Sequence, residues 1–370
     1  MISKLYLNLK VVMFATFRSA LRIFAAMGTI FVTYVIDIGR ATARPAEEAY
    51  CSAPKFQSLA AAPGTGRFGW IVDCLPTQGP VETRLVLSAP DSGERMVTIG
   101  LHLDARMLGF DPSGQVYWAR TQAKDTLQAA SRRLTIWSYR DGGQIREAAA
   151  LDLPFEAEIG ERIDVPDGWL IRLHSASGRM PERGLFLFYR RGEIKVADTA
   201  FIGKLLWRAG PNAFLYRDRE DTLRAIDLDG HDAPEAATTY APALQMLEPW
   251  DHYAGDFNGQ VALRIQDNSD THVYTASLIT APATPGATAN AQSLATWRDD
   301  WLRTVTMSAD GRKAAFAFSD RIEVLTSADG WRNARVLPYD DAFQSDIAFD
   351  ASGTTLIAIT QAVRRWSIAP

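Results

Sequence analysis

The sequence predicts an all-β protein folded as a seven-bladed β-propeller with four-stranded antiparallel blades. Three similar phrases, at residues 110–114, 307–311 and 349–353, each combine an apolar residue, a short polar turn and a closing glycine, and each is followed at once by an apolar strand. Because every small sheet of a propeller buries both faces against its neighbours, such turn-and-strand units recur at a blade's length of about 40 to 50 residues. Seven turn glycines mark these repeats at intervals of 42 to 54 residues: Gly66, Gly114, Gly168, Gly210, Gly259, Gly311 and Gly353.

Each glycine is expected to separate the inner strand of a blade from its second strand. The predicted second strands are 115–120, 169–173, 213–216, 260–265, 313–318 and 354–360, and the predicted third strands are 133–139, 184–189, 222–226, 272–276, 321–325 and 363–368. Dipeptides such as Asp229-Gly230 then favour hairpins into an outer fourth strand. The sequence stops directly after the last third strand, so we expect residues 44–54 to supply the missing outer strand and close the ring.

The first 43 residues are typical of an export signal. Four basic residues precede the uncharged run 23–36, and Ala41 and Ala43 place small side chains where signal peptidase cleaves. The run is shorter than the roughly 20 residues of a membrane span. We expect cleavage after Ala43, with residues 44–370 forming a single periplasmic or secreted propeller. The alternative is an uncleaved inner-membrane anchor with the propeller facing the periplasm.

The two cysteines and the charge balance agree with export. Cys51 and Cys74 are 23 residues apart, and in an oxidising compartment such a pair is expected to form a disulfide. Two unpaired buried thiols are the alternative.

Outside the first 43 residues, 34 basic residues stand against 42 acidic ones. Since nucleic acid binding depends on neutralising phosphates with basic side chains, the sequence argues against a DNA or RNA partner.

The repeat phrases resemble the WD40-like propeller repeats of exported bacterial proteins, including the TolB and YVTN groups. The resemblance covers nearly all of residues 50–370 and is clearest at 308–311 and 349–353. The Gly-His and Trp-Asp dipeptides of true WD40 domains are missing at their usual places. The resemblance implies protein or small-ligand binding, because this fold hosts many unrelated functions.

The sequence contains no recognisable catalytic or metal-binding motif. The Gly-x-Ser-x-Gly elbow of serine hydrolases is absent, and the five histidines, at 102, 174, 231, 252 and 272, are scattered. Residues 227–232 loosely resemble a calcium loop, but they lack its downstream glutamate, so a hairpin turn is favoured. We therefore predict no catalytic residue, cofactor or metal ligand. The alternative is a calcium-dependent hydrolase or lactonase centred on the channel.

Aromatic and basic residues gather in the predicted connections into blades five to seven. Trp, Tyr and Arg dominate binding hot spots, so these residues form a candidate partner face: Trp250, His252, Tyr253, Trp297, Arg298, Trp301, Arg303 and Tyr339. The competing interpretation is that several of the rings pack between blades as core. The sequence thus predicts a non-enzymatic exported binding module that presents one face to a protein or cell-envelope partner.

Overall fold

The structure is a computed structural model of the chain. It describes residues 54–62, 65–74, 82–89, 93–100, 105–123, 132–175, 184–197, 203–244, 248, 250–268, 271, 273–284, 286–298, 300–339, 346–359 and 363–368. These belong to one compact unit, Ala53–Pro370. The predicted signal at 1–43, Cys51 and all of the closing segment except Pro54 lie outside the described residues.

Seven antiparallel sheets form the unit, and the strands of each sheet follow one another in chain order. Blades 1 to 3 contain β1 (Pro54–Ala61), β2 (Phe68–Cys74), β3 (Glu82–Ala89) and β4 (Gly93–Gly100); β5 (Arg106–Phe110), β6 (Val116–Ala123), β7 (Arg132–Tyr139) and β8 (Arg146–Leu153); and β9 (Ala157–Val165), β10 (Gly168–Ser175), β11 (Gly184–Arg190) and β12 (Glu193–Val196). Blades 4 and 5 contain β13 (Lys204–Ala209), β14 (Ala213–Arg217) and β15 (Leu223–Asp227); and β16 (His252–Gly255), β17 (Val261–Asn268), β18 (Val273–Thr280) and β19 (Asn290–Arg298). Blades 6 and 7 contain β20 (Leu302–Met307), β21 (Lys313–Phe318), β22 (Arg321–Thr326) and β23 (Arg335–Pro338); and β24 (Asp346–Phe349), β25 (Thr355–Ile359) and β26 (Val363–Ser367).

The inner strands form a ring. Strand β9 contacts β13, and contacts continue through β16, β20, β24, β1 and β5. The ring is completed between β5 and β9 by Arg162, whose Nη1 donates hydrogen bonds to the carbonyls of Met107 and Leu108. The predicted seven-bladed propeller is therefore confirmed. Closure by residues 44–54 stays a prediction.

Six of the seven glycine marks lie between an inner strand and its second strand, as predicted, and Gly168 is the first residue of second strand β10. Six have a positive φ of 64° to 81°, a region that glycine enters without steric cost. The third blade differs, because Asp167 takes the left-handed conformation with φ 64°. Gly168 is needed there for space, since a Cβ atom at that position would lie 1.8 Å from the carbonyl oxygen of Tyr189.

The polar residue of the repeat phrase shapes the same turn. Oδ1 of Asp111 accepts hydrogen bonds from the backbone N–H groups of Ser113 and Gln115 at 2.9 and 3.0 Å. Oδ1 of Asp350 accepts one from Thr355 N–H at 2.9 Å. A short acidic side chain that bonds to amides a few residues further on stabilises a tight turn. This explains why the phrase recurs, and it gives the repeat a structural role.

Blade 4 departs from the prediction. The expected outer strand after Asp229-Gly230 is replaced by helix α1 (Pro234–Tyr240) and a 3-10 helix (Ala241–Leu244). Proline at the first turn and the alanines that follow favour a helix, because alanine has the highest helix propensity and proline tolerates the N-terminus. Tyr240 and Leu244 pack onto the sheet as a strand would, with Tyr240 edge-on to the ring of Trp207.

The hydrophobic core lies between adjacent blades. Its largest fully buried side chains include Trp70, Trp118, Phe186, Phe316 and Phe318. Burying aromatic rings supplies much of the driving force of folding, because each removes roughly 150–250 Å² from water. None of the helices in the described ranges is long and apolar enough to span a membrane.

Candidate functional site

Two tryptophans of the candidate partner face are exposed. Trp250 is 63% exposed and precedes β16, while Trp301 is 59% exposed and precedes β20. The turns at the other ends of these inner strands touch each other, since the N–H of Phe257 donates to the carbonyl of Ala309. The two tryptophans therefore lie on the opposite face of the ring, in adjacent blades. They are the most exposed large hydrophobic residues that the structure describes.

Arg303 belongs to the same face. Its guanidinium carbon lies 5.2 Å from the centre of the Trp301 ring, within the range of a cation–π contact. Arg298, at the end of β19, is exposed. The exposed part of the candidate face thus combines two indoles with basic side chains.

Other members of the predicted face lie elsewhere. Trp297 falls within outer strand β19 rather than in a connection, is 8% exposed and packs on Phe316 and Phe318. Tyr339 is 2% exposed and meets the ring of Trp366. Both are core residues, as the competing interpretation held, because a large ring is the side chain that fills the wedge between two blades.

His252 and Tyr253 open the inner strand β16 instead of projecting from a loop. Tyr253 lines the central channel and stacks on Trp207, with ring centres 5.7 Å apart. Both residues therefore belong to the wall of the ring.

The central channel has a volume of about 750 Å³ and is lined by the inner strands of all seven blades. Its charged lining residues include Arg106, Arg162 and Asp346 from blades 2, 3 and 7, and both guanidinium groups act electrostatically on the Asp346 carboxylate. Asp346 Oδ2 accepts a hydrogen bond from the N–H of Leu59 at 2.9 Å, and Nη1 of Arg106 donates to the carbonyl of Gln57 at 2.9 Å. Burial raises the pKa of Asp346, although the Leu59 amide and the two arginines act in the opposite direction.

A buried ion pair lies under the start of β16. Asp251 is fully buried, and its Oδ2 accepts hydrogen bonds from Nε of Arg264 at 2.9 Å and from the hydroxyl of Tyr253 at 3.1 Å. Nη2 of Arg264 lies 2.8 Å from the same oxygen and completes the ion pair. Nζ of Lys204 donates to the Asp251 carbonyl at 2.5 Å. Charge-assisted pairing of this kind is strong because both partners are ionised and the guanidinium donates to the carboxylate at short range. The cluster joins blades 4 and 5 below the candidate partner face.

This cluster changes the titration of its neighbours. Burial lowers the pKa of Lys204. Burial, together with the nearby Lys204 ammonium, lowers the pKa of His252 to about 4. His252 is thus neutral at physiological pH.

The calcium-like phrase forms a hairpin turn. Oδ1 of Asp227 accepts hydrogen bonds from the N–H groups of Asp229 and His231 at 2.8 and 2.9 Å. Within the described ranges, no group of three or more His, Cys, Asp or Glu side chains is arranged to hold a metal ion. Cys74 ends β2 and is buried; the disulfide with Cys51 stays a prediction, because Cys51 lies outside the described part.

Sequence reasoning missed the channel residues and the buried pair. Arg106 and Asp346 each begin an inner strand, whereas Arg162 lies inside β9, so no constant position in the repeat connects the three. Asp251 stands between Trp250 and His252, which were singled out, and a single carboxylate in a connection is usually a solvated one. The sequence feature that could have indicated a buried Asp251 is its position between the rings of Trp250 and His252.

Comparison with solved structures shows the fold. The chain is similar to the periplasmic gluconolactonase PpgL of Pseudomonas aeruginosa, at 12% identity and a TM-score of 0.53, over 80% of this chain and 91% of that one. It is also similar to the β-propeller domain of Myceliophteria thermophila Cps50 (Swd1), at 11% identity and a TM-score of 0.54, over 86% of this chain and 97% of that one. No protein-family model and no curated protein matches the sequence.

Proposed function

We propose that this protein is a non-enzymatic binding propeller that presents the face with Trp250 and Trp301 to a protein partner. The observation that carries the proposal is the exposure of these two indoles, 63% and 59%, at the start of adjacent inner strands. A large aromatic ring left in water forfeits roughly 1.5–3 kcal/mol of burial, so two such rings on one face indicate a surface that is covered in a complex.

The neighbouring arginines fit this role. Arg303 lies against the Trp301 ring and Arg298 is exposed nearby in sequence. Trp and Arg are the residues whose truncation most often costs binding energy, because they combine a large apolar contact with charged hydrogen bonding. The expected partner surface has apolar pockets for the indoles and carboxylates around them.

We place the protein in the periplasm or outside the cell. The basic and apolar segment at residues 1–43 and the pair Cys51 and Cys74 support this placement. The partner is accordingly an envelope or extracellular protein.

The test is capture from an envelope extract by the purified protein and two variants. The double variant Trp250→Ala/Trp301→Ala is expected to lose a partner that the wild type retains in stoichiometric amount. Val336→Ala is the control, because Val336 is 57% exposed but lies on outer strand β23. Equal capture by the double variant and the wild type would refute the face assignment.

A channel-centred hydrolase or lactonase is the second candidate. The observation in its favour is that Asp346, Arg106 and Arg162 all line the channel, where the two arginines act electrostatically on the carboxylate. PpgL, a gluconolactonase by name, has a similar fold. Calcium at 100 times its dissociation constant would raise the free energy of unfolding by about 2.7 kcal/mol if a specific site existed. A calcium-dependent rise of this size, with metal retained after purification, would favour this candidate over the binding module.

A further inference from the structure

A second cavity of about 610 Å³ lies between blades 2 and 3, on the face that carries the repeat turns. Its lining includes Tyr117 from β6, Trp169 from β10 and Tyr189 from β11. The rings of Trp169 and Tyr189 are stacked, with centres 5.9 Å apart and planes 10° apart. Tyr117 meets them at 5.1 and 5.8 Å. The three rings are therefore in mutual contact beside the cavity, where Tyr117 is half-buried and Trp169 and Tyr189 are each 4% exposed.

Strand register explains why these groups lie together. Trp169 pairs with Asp164 on β9 and with Tyr189 on β11. Residues directly opposite each other in an antiparallel pair project to the same side of the sheet. Gly168 holds β10 and β11 close, since a Cβ atom there would collide with the Tyr189 carbonyl. The row from Asp164 to Tyr189 thus presents one carboxylate and two rings to the cavity.

The charge around the cavity is negative. Three carboxylates line it, those of Asp111, Asp164 and Asp167. The lining guanidinium, that of Arg191, is paired with Asp167 through hydrogen bonds of 2.8 and 3.1 Å. The Asp164 side chain is exposed, and its charge acts on the Arg208 guanidinium. Because Arg191 pairs with Asp167, it does not neutralise the other two lining carboxylates, those of Asp111 and Asp164.

Two further groups define the electrostatics. The Tyr117 hydroxyl donates to Oδ2 of Asp111 at 3.2 Å, and burial raises the pKa of Tyr117 and Tyr189, so both phenols stay neutral. Arg208, near Asp164, is directed to other acceptors, because it donates to the carbonyls of Gly210, Pro211 and Phe257. The Arg208 guanidinium carbon lies 5.7 Å from the ring centre of Phe257, which also lines the cavity. The wall formed by Tyr117, Trp169 and Tyr189 is therefore the part of the cavity proposed to receive a cation.

We propose that this cavity binds a small organic cation of the quaternary ammonium class. Aromatic faces attract cations through the ring quadrupole, and the attraction grows when the cation is desolvated. Adjacent carboxylates supply the compensating charge. A methylated ammonium suits the site better than a metal ion, since it needs no set of converging oxygen ligands and its methyl groups pack against rings.

The test is calorimetric titration of the full chain with choline chloride, at constant ionic strength, and with 3,3-dimethyl-1-butanol, which has the same shape without the charge. Choline is expected to bind at least about tenfold more tightly than the alcohol, the factor that roughly 1.4 kcal/mol of cation–π and charge attraction produces. The proposal is overturned if both compounds bind equally, or if choline does not bind at 10 mM. A dissociation constant of that size corresponds to a binding free energy of only about 3 kcal/mol.

Two variants locate the site. Asp164→Asn removes an exposed charge without changing size and is expected to weaken choline binding roughly five- to tenfold. Tyr117→Leu is expected to abolish measurable binding. Asp229→Asn is the matched control, because its side chain is 72% exposed and lies in the blade 4 turn. Unchanged affinity in Asp164→Asn, or tighter binding of a neutral methyl glycoside than of choline, would show that the cavity does not recognise a cation.

Discussion

The ion pair of Asp251 and Arg264 gives the sharpest prediction of stability. Both side chains are buried, at 0% and 5% exposure. The carboxylate accepts hydrogen bonds from Nε of Arg264 and from the Tyr253 hydroxyl, and Nη2 of Arg264 lies 2.8 Å away. Replacing Asp251 by Asn keeps the shape but leaves a buried guanidinium without its counter-charge. Breaking such a pair from one side costs about 3–5 kcal/mol.

The assay is equilibrium unfolding in urea, followed by tryptophan fluorescence. We expect the Asp251→Asn variant to lose about 3–5 kcal/mol in the free energy of unfolding with an unchanged dependence on urea concentration. The control is Asp320→Asn, which removes a 70% exposed partner of Arg321. Exposed pairs contribute about 0–1 kcal/mol, because water and salt screen them.

A double variant separates the charge from the packing. Asp251→Asn/Arg264→Met removes both charges, so it should be more stable than Asp251→Asn alone, as is found when apolar side chains replace a buried pair. The reasoning is refuted if Asp251→Asn is no more destabilised than Asp320→Asn, or if the double variant is the least stable of the three.

Three further predictions concern titration and the proposed disulfide. His252 has a pKa of about 4 in the folded protein, below its ordinary value of 6.5, so the unfolded chain binds more protons between these two pH values. The resulting contribution to stability, on the order of 3 kcal/mol, is fully present above pH 6.5 and is lost as pH falls through 4. The variant His252→Asn should lose this part of the pH dependence of unfolding. Burial raises the pKa of Asp346 above its ordinary value of 3.8, so its ionisation destabilises the fold as pH rises. The variant Asp346→Asn should therefore be more stable than the wild type at pH 7 but not at pH 3. A lower free energy of unfolding for the variant at pH 7 would contradict this. Cys51→Ser should cost roughly 3 kcal/mol if Cys51 and Cys74 close their loop, whereas an unchanged melting temperature in the purified protein would argue against the disulfide.

The repeat turns were predictable because their chemistry is local. A glycine with positive φ and an acidic side chain that bonds to amides a few residues further on act within about six residues, so Gly311 and Gly353 could be placed from the sequence. Blade 4 shows the limit of that reasoning. The turn at Asp229-Gly230 forms as predicted, but the segment after it is a helix and not a fourth strand. The high helix propensity of its alanines favours this conformation.

The candidate sites depended on distances that a sequence does not contain. Trp250 and Trp297 both belong to the predicted partner face, yet Trp250 is exposed, whereas Trp297 lies on β19 and packs on Phe316 of blade 6. Likewise nothing in the sequence connects Tyr117 with Tyr189, which are 72 positions apart and 5.8 Å between ring centres.

The sequence by itself determined the number of blades and the position of every turn between inner and second strands, since these follow from short-range sterics and a repeating pattern of apolar strands. The tertiary structure decided which charged residues meet in the channel, which aromatic rings remain exposed, and which rings wall the cavity between blades 2 and 3. Those outcomes depend on the packing of sheets that are distant in the chain, where a side chain's surroundings are set by its neighbours in space.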